Sequence, residues 1–215
     1  MTEGSRDRMD ADVLGDRLRT AREAYGISLR ELARRVGVSA SLISQIETGK
    51  VHPSVSTLYA LASELDASVD ELLFEDASPA SNAQRDSWDP ISDHPHMEPV
   101  QRAGDRKVIE LGSGVRWERL TTQSVPGVDF LYLVYQPGGS SGVDTMQQHS
   151  GREWGYVLEG TLHLTVGFDE HALGPGDAIA FDSTVPHRLH NKGDKEARAI
   201  WYVLGWQSGR PSPEA

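Results

Sequence analysis

The spacing of the apolar residues changes halfway along this chain of 215 residues. Between residues 10 and 75 the apolar side chains recur at helical spacing, whereas beyond residue 106 they alternate with polar ones, most clearly in Leu162-His163-Leu164-Thr165-Val166. The stretch between them, residues 76–105, contains four prolines among serine, aspartate and asparagine, which favours an extended linker. We therefore predict an α+β protein with an all-α domain at 10–75 and an all-β domain at 106–207.

The helical part contains the capping signals of five short helices. Ser28-Leu29-Arg30-Glu31 and Ser68-Val69-Asp70-Glu71 each place a serine three residues before a glutamate, which is a capping box, and Ser39 and Ser54 stand where further helices would begin. Only a short turn with Gly37 separates the predicted second and third helices. Because so short a connection forces a steep crossing, we predict a bundle of five helices that includes a helix-turn-helix.

Positive charge is concentrated in this helical part, although the whole chain has a net charge of −11. Residues 17–50 contain seven arginines and lysines against three acids, whereas residues 51–76 contain six acids and neither basic residue. Helical spacing alone equally allows a protein-interaction module, but the basic stretch provides the cations that DNA phosphates require. An amide on the second helix of the motif can pair with adenine in the major groove. The residues expected to contact DNA are Arg30, Arg34, Arg35, Ser39, Ser41, Ser44, Gln45 and Lys50, with Gln45 as the base reader.

Two segments of the helical part match a known family. Leu32-Ala33-Arg34-Arg35-Val36-Gly37-Val38-Ser39 and Ile43-Ser44-Gln45-Ile46-Glu47-Thr48-Gly49 resemble the Cro/C1-type (xenobiotic-response-element) helix-turn-helix regulators, and the resemblance covers about residues 12–73. It implies that the chain binds double-stranded DNA. Members of the family usually bind as homodimers to a palindromic operator whose half-sites lie about one helical turn apart.

The β part is interrupted by turn residues, at Gly138-Gly139, Gly160 and Gly174-Pro175-Gly176-Asp177, which favours a small sandwich or barrel. The segment from Gln147 to Glu153, together with Pro175-Gly176-Asp177 and Pro186-His187, resembles the two motifs of the cupin superfamily. This resemblance spans about residues 106–206. It implies a double-stranded β-helix, or jelly-roll, barrel around a ligand site.

The cupin motifs imply a set of metal ligands. His149, Glu153 and His187 match three ligand positions, and Gln147 stands where the first histidine would be. Two imidazoles and a carboxylate make the facial triad that binds iron(II) with open coordination positions, and Gln147 would add a weaker, neutral ligand. Iron, zinc, nickel and manganese all fit this donor set. The alternative, a hydrogen-bonded polar cluster around an empty or organic-ligand pocket, stays open.

Together the two parts resemble bacterial regulators that combine a helix-turn-helix with a cupin domain. This resemblance implies a transcriptional regulator whose cupin domain senses a small-molecule effector. Hydroxypropylphosphonate epoxidase, a non-haem iron oxygenase, shares the domain order and a triad that matches His149, Glu153 and His187, so an enzyme is the alternative. We predict a regulator and no enzyme, because catalysis has no use for a recognition helix with Gln45 beside arginines. A barrel that only dimerises the chain is a third possibility.

The composition excludes several other classes of protein. Without cysteine the chain has no disulfide, zinc finger, iron–sulfur cluster or thiolate nucleophile. The longest apolar run near the C-terminus, residues 199–206, is far shorter than the roughly 20 residues that cross a bilayer. The first residues are charged and show no secretory signal. We therefore expect a cytoplasmic protein that has no membrane partner.

Overall fold

The computed structural model describes residues 11–65, 67, 69–73, 99–125, 127–142 and 145–205. Most of the predicted linker, residues 76–98, and the predicted domain ends at residues 10 and 206–207 lie outside this part of the chain. The last residues of the predicted linker contain a single 3-10 turn, Ala103–Asp105. None of the described helices combines the length and the apolar character needed to cross a membrane.

Four helices of eight or more residues form the described N-terminal region: α1 (Ala11–Ala24), α2 (Leu29–Val36), α3 (Ala40–Glu47) and α4 (Val55–Glu64). A helical segment of five residues, α5 (Val69–Leu73), follows them. Only four of the five predicted helices thus have eight or more residues in the described part of the chain, because the last element is little more than one turn. Its described side chains, Val69, Leu72 and Leu73, are all buried.

Serine caps begin three of these helices where the sequence predicts them. The hydroxyl oxygens of Ser28, Ser39 and Ser54 each accept a hydrogen bond from the backbone N–H group three residues further on. Gly37 ends α2 with φ of 76°, a left-handed conformation that glycine adopts without strain. The short connection from Gly37 to Ser39 confirms the predicted helix-turn-helix of α2 and α3.

Nine described strands form two antiparallel sheets. The larger sheet has the order β1-β2-β3-β9-β4-β7 and the smaller one the order β6-β5-β8. The predicted all-β C-terminal region is thus confirmed. The strand bounds are β1 (Val108–Leu111), β2 (Val115–Arg119), β3 (Val128–Tyr135), β4 (Arg152–Glu159), β5 (Leu162–Val166), β6 (Asp169–Leu173), β7 (Ala178–Asp182), β8 (His187–His190) and β9 (Ala197–Leu204).

Side chains alternate between the inner and outer faces of β4. Glu153, Gly155 and Val157 point inward and are buried, whereas Trp154 and Tyr156 are exposed on the outer face. A Cβ on Gly155 would overlap the indole ring of the core residue Trp201, so only glycine fits there. The same alternation places Glu153 inside the barrel.

The helical region contacts the barrel through α4. The backbone N–H of Ser56 donates to the carbonyl of Ser141 at 2.9 Å, and the hydroxyl oxygens of Ser56 and Thr145 are 3.0 Å apart. Just before α4, the carbonyl of Pro53 accepts a hydrogen bond from the N–H of Gly112 at 2.9 Å. α4 therefore lies against the rim of the barrel, while its other side packs on α2 and α5.

Candidate DNA-binding surface and metal site

One face of α3 is exposed and polar. Ser41, Ser44 and Gln45 are exposed, whereas Ile43 and Ile46 on the opposite face are buried in the core. Ser39 is exposed before the first turn of α3, where its side chain caps the helix. This face has the short polar side chains and the free amide that the major groove can accept.

The predicted phosphate contacts fall into two groups. Arg34 forms a bidentate contact with Glu31 at 2.7 and 3.0 Å, and Arg35 bonds Glu31 and Glu64, both at 2.7 Å. These arginine hydrogen bonds lower the pKa of Glu31 to about 2. Arg30 and Lys50 are exposed and make no side-chain ion pair within the described residues. The basic surface is thus partly neutralised beside α2.

An ion pair that the sequence analysis missed connects α1 to α3. The guanidinium of Arg22 bonds the carboxylate of Glu47 through Nε–Oε1 at 2.6 Å and Nη2–Oε2 at 2.9 Å. Arg22 also donates to the carbonyl of Ile27 at 3.1 Å. Both charged side chains are at least nine-tenths buried. This pair fixes the end of α3 against α1.

The three predicted metal ligands come together inside the barrel. His149 precedes β4, Glu153 lies on β4 and His187 begins β8. Oε1 of Glu153 is 2.9 Å from Nε2 of His149 and 3.0 Å from Nε2 of His187. One ligand atom from each residue lies within 4.8 Å of the others, so a single ion can contact all three.

Neighbouring groups orient these three side chains. Nδ1 of His187 faces the carbonyl of Val185 at 2.9 Å, which directs Nε2 into the site, as in metal-binding histidines. Nε1 of Trp201 donates to Oε2 of Glu153 at 2.6 Å. Burial raises the pKa of Glu153, but the two imidazoles lower it by more, so that the pKa lies well below its ordinary value. The carboxylate is therefore ionised at neutral pH, as a metal ligand must be.

Gln147 lies next to the triad in an extended segment. Its N–H donates to the carbonyl of His187 at 2.7 Å and its carbonyl accepts from the N–H of His187 at 2.9 Å. The side-chain Oε1 is buried and has no hydrogen-bond partner among the described residues. Because an unpaired buried amide oxygen is costly, this atom fits a role as an additional ligand.

A second feature that the sequence analysis missed is a tyrosine of α4 in the mouth of the barrel. The ring of Tyr59 is stacked on the imidazole of His149, with the two planes 5° apart and the ring centres at 4.2 Å. Its edge faces Trp117, and its hydroxyl lies 3.5 Å from a carboxylate oxygen of Asp129. Burial, reinforced by the charges of Asp129 and Glu153, raises the pKa of Tyr59 well above its ordinary value. The phenol is therefore neutral.

The space left beside the triad is small. Tyr59, Val55 and Glu153 line a cavity of about 10 Å³, which has room for about one water molecule or ion. Its other lining residues are Trp117, Leu131, Leu133, Tyr135, Gln147, Leu189 and Trp201. The sequence analysis did not single out Tyr59, although the buried residues of α4 lie on more than one face of the helix.

Known proteins match both regions. A family model described as helix-turn-helix matches residues 18–72, and one described as cupin domain matches residues 131–203. The chain is 30% identical over 188 residues to the HTH-type transcriptional regulator PuuR of Escherichia coli, an alignment of 86% of this chain and 91% of that protein. It is 24% identical over 186 residues to the regulator SutR of E. coli, across 86% and 90% of the two chains. The crystal structure of an HTH_3 family transcriptional regulator from Vibrio cholerae covers 94% of this chain and 98% of its own, with a TM-score of 0.62 and 22% identity, and shares its fold.

Proposed function

We propose how this chain, which belongs to the family of helix-turn-helix transcriptional regulators that includes PuuR, controls transcription. Besides the helix-turn-helix, the chain contains a cupin domain. A homodimer binds a palindromic operator in the cytoplasm, and the barrel binds a small-molecule effector at a metal ion. The exposed polar face of α3 is the observation that supports operator binding. The buried triad of His149, Glu153 and His187 supports the effector site.

Operator recognition centres on Gln45. Its amide is exposed on α3 and can pair bidentately with adenine N6 and N7. Ser39, Ser41 and Ser44 allow close approach to the groove. Phosphates are contacted by the flanking cations Arg30, Arg34, Arg35 and Lys50. To reach a phosphate, Arg34 and Arg35 each give up part of their hydrogen bonding to Glu31.

Selection from a random pool of DNA tests operator binding with the full chain. We expect an inverted repeat, and we expect Gln45→Ala to lose about 1–3 kcal/mol on the selected DNA and to relax one base pair in each half-site. Lys50→Ala should weaken all DNA equally and reduce the salt slope by about one. Gln101→Ala, at a half-exposed glutamine outside the helices, is the control. Selection of no sequence, or an unchanged preference in Gln45→Ala, would contradict the proposal.

The dimer forms through the outer face of β4, β7 and β9. Trp154 and Tyr156 are exposed there beside Ala178 and Ala180, and Tyr202 packs against Trp154 with ring centres 5.6 Å apart. These side chains border an apolar groove of about 470 Å³. An exposed apolar patch of this kind marks a protein interface, and the ridge of two aromatic rings beside a shallow groove of alanines suits self-association.

Light scattering of the purified chain tests this interface. Tyr156→Glu should convert the dimer to a monomer because it buries a charge at the centre of the patch. Phe168→Glu, at a fully exposed phenylalanine between β5 and β6, is the matched control and should leave the dimer unchanged. A dimer that persists in Tyr156→Glu would place the interface elsewhere.

His149, Glu153 and His187 would bind a divalent ion, with the Gln147 oxygen as a further ligand. The bound ion would supply a Lewis acid with open positions for a donor atom of the effector. Metal content of the purified protein, measured for wild type and His187→Ala, tests this site. His190→Ala is the control, because His190 lies on the same strand and points outward. Equal metal content in all three proteins would refute the site.

The oxygenase alternative requires room for a substrate next to the triad. With Tyr59 stacked on His149, the cavity of about 10 Å³ accommodates no organic substrate. The same lack of space applies to an organic effector, so the exposed polar face of α3, which catalysis does not need, is the observation that favours a regulator over an enzyme. Oxygen consumption by the iron-loaded protein with a hydroxyphosphonate would reverse this preference.

A further inference from the structure

The ring of Tyr59 fills the part of the barrel that an organic ligand would need. Ligand sites for small molecules usually have volumes of about 300–1,000 Å³, whereas the cavity beside Glu153 has about 10 Å³. A metal ion fits this space and an organic effector does not. Two walls of the mouth, Tyr59 and Val55, belong to α4 and not to the barrel.

The same helix belongs to the core of the DNA-binding region. Leu58 and Leu61 of α4 are fully buried, and Glu64 at its end bonds Arg35 of α2 at 2.7 Å. α2 in turn packs against α3, whose exposed face is proposed to read DNA. Packed side chains and an ion pair thus connect α4 to α2, and α2 to α3.

We propose that an organic effector enters the barrel only by displacing Tyr59 from His149, and that this displacement loosens α4 from the rim and changes the affinity for DNA. The proposal rests on the proposed function of the barrel as an effector sensor. In this role, which we call the gate, the ring of Tyr59 blocks entry into the barrel, and its displacement moves the helix that belongs to the DNA-binding region.

The environment of the ring favours movement of the helix over rotation of the side chain alone. Tyr59 lies between His149 and Trp117, and its hydroxyl faces Asp129. In a helix a long side chain has only two common χ1 rotamers, so few positions are open to the ring. The effector therefore shifts the α4 backbone, at the cost of the rim hydrogen bonds that Ser56 makes.

Cobalt(II)-loaded protein with imidazole as the organic probe tests the gate. Imidazole binds metal ions and is larger than the cavity, and visible absorption of the cobalt follows its binding. We expect Tyr59→Ala to bind imidazole at least tenfold more tightly than wild type, and Tyr59→Phe, which keeps the ring, to bind like wild type. Tyr25→Ala, at an exposed tyrosine of the helical region, is the control.

A disulfide that can be formed and reduced between α4 and the barrel rim tests the coupling within one protein variant, which we call the lock. The natural chain has no cysteine, and the hydroxyl oxygens of Ser56 and Thr145 are 3.0 Å apart, so Ser56→Cys with Thr145→Cys can form a disulfide between α4 and the rim. Oxidation should weaken imidazole binding at least tenfold, and reduction should restore it. In the reduced protein and in wild type, imidazole should change the affinity for the selected DNA by the factor by which DNA changes the affinity for imidazole.

The outcomes separate the gate from the sensor. Equal imidazole affinity in wild type, Tyr59→Ala and the oxidised lock, together with a DNA response in wild type, would overturn the gate and leave the sensor intact. Absence of cobalt uptake would overturn the sensor and the gate together, and so would an unchanged affinity for DNA in wild type at imidazole concentrations that saturate the cobalt absorption change. Faster hydrogen exchange in residues 55–64 on imidazole binding to wild type, and not in the oxidised lock, would support both.

Discussion

Replacing Arg22 by methionine should destabilise the helical region far more than the same change at a surface arginine. Arg22 and Glu47 form two charge-assisted hydrogen bonds of 2.6 and 2.9 Å, and their side chains are only 10% and 5% exposed. Arg22→Met leaves the Glu47 carboxylate buried without its partner. Arg19, also on α1, lies 3.6 Å from Glu23 in an ion pair that is more than half exposed.

The expected loss in the free energy of unfolding of Arg22→Met follows from the burial of the ion pair and from the number of hydrogen bonds that are lost. Breaking a buried ion pair by removing one partner costs about 3–5 kcal/mol. The loss of two hydrogen bonds between charged groups, at about 1.5–3 kcal/mol each, gives a similar range. Arg19→Met should cost at most about 0.5 kcal/mol, because an exposed pair is screened by solvent. Since domains are stable by only about 5–15 kcal/mol, Arg22→Met removes a large part of the total.

Urea unfolding followed by the helical circular dichroism signal measures both variants. A double variant, Arg22→Met with Glu47→Leu, replaces the whole pair by apolar side chains and should be more stable than Arg22→Met alone, because no unpaired charge stays buried. A cost below about 1 kcal/mol for Arg22→Met would refute the reasoning. So would a double variant as unstable as the sum of its two single variants.

Two further predictions concern packing and surface charge. Gly155→Ala places a methyl group against the ring of Trp201 and should cost about 1–3 kcal/mol of stability in urea unfolding. Gly104→Ala is the control and should change the stability by less than about 0.5 kcal/mol, because its methyl group meets nothing within 4 Å. Similar effects at both glycines would contradict this prediction. The pKa of Glu31 is lowered from 4.5 to about 2 by the arginines of α2, so its stabilising effect is complete above pH 4.5 and is lost as the pH falls toward 2. The urea midpoint of wild type should therefore approach that of Glu31→Gln over this pH interval, and a constant gap would show that the arginine contacts do not stabilise the fold.

Local signals in the sequence predicted the helices and the β character of the C-terminal region. Each capping serine acts within one turn of its helix, so Ser28, Ser39 and Ser54 could be assigned without tertiary information. The alternation from Leu162 to Val166 likewise predicted a strand, whereas the inward orientation of Glu153 on β4 is known only from the structure. The convergence of His149, Glu153 and His187 was predicted from family resemblance, because spacing alone does not bring β4 and β8 together.

The remaining features depend on contacts between distant segments. Arg22 looks like a surface cation in the sequence, and only the packing of α1 on α3 brings it to Glu47. The length of α5 is likewise known only from the structure, in which the helical segment has five residues. Tyr59 was not singled out in the sequence, because its contact with His149 depends on the packing of α4 against the barrel mouth.

The double role of α4 limits how modular these regulators are. A hybrid made by joining the helices of one relative to the barrel of another within residues 76–105 would leave the helical donor's counterparts of Val55, Ser56 and Tyr59 against a foreign rim. We expect such hybrids to work only when the barrel-facing side of α4 is exchanged together with the barrel. The functional boundary between the two halves therefore does not lie in the linker. It separates the side of α4 that faces the barrel from the side that packs in the helical region.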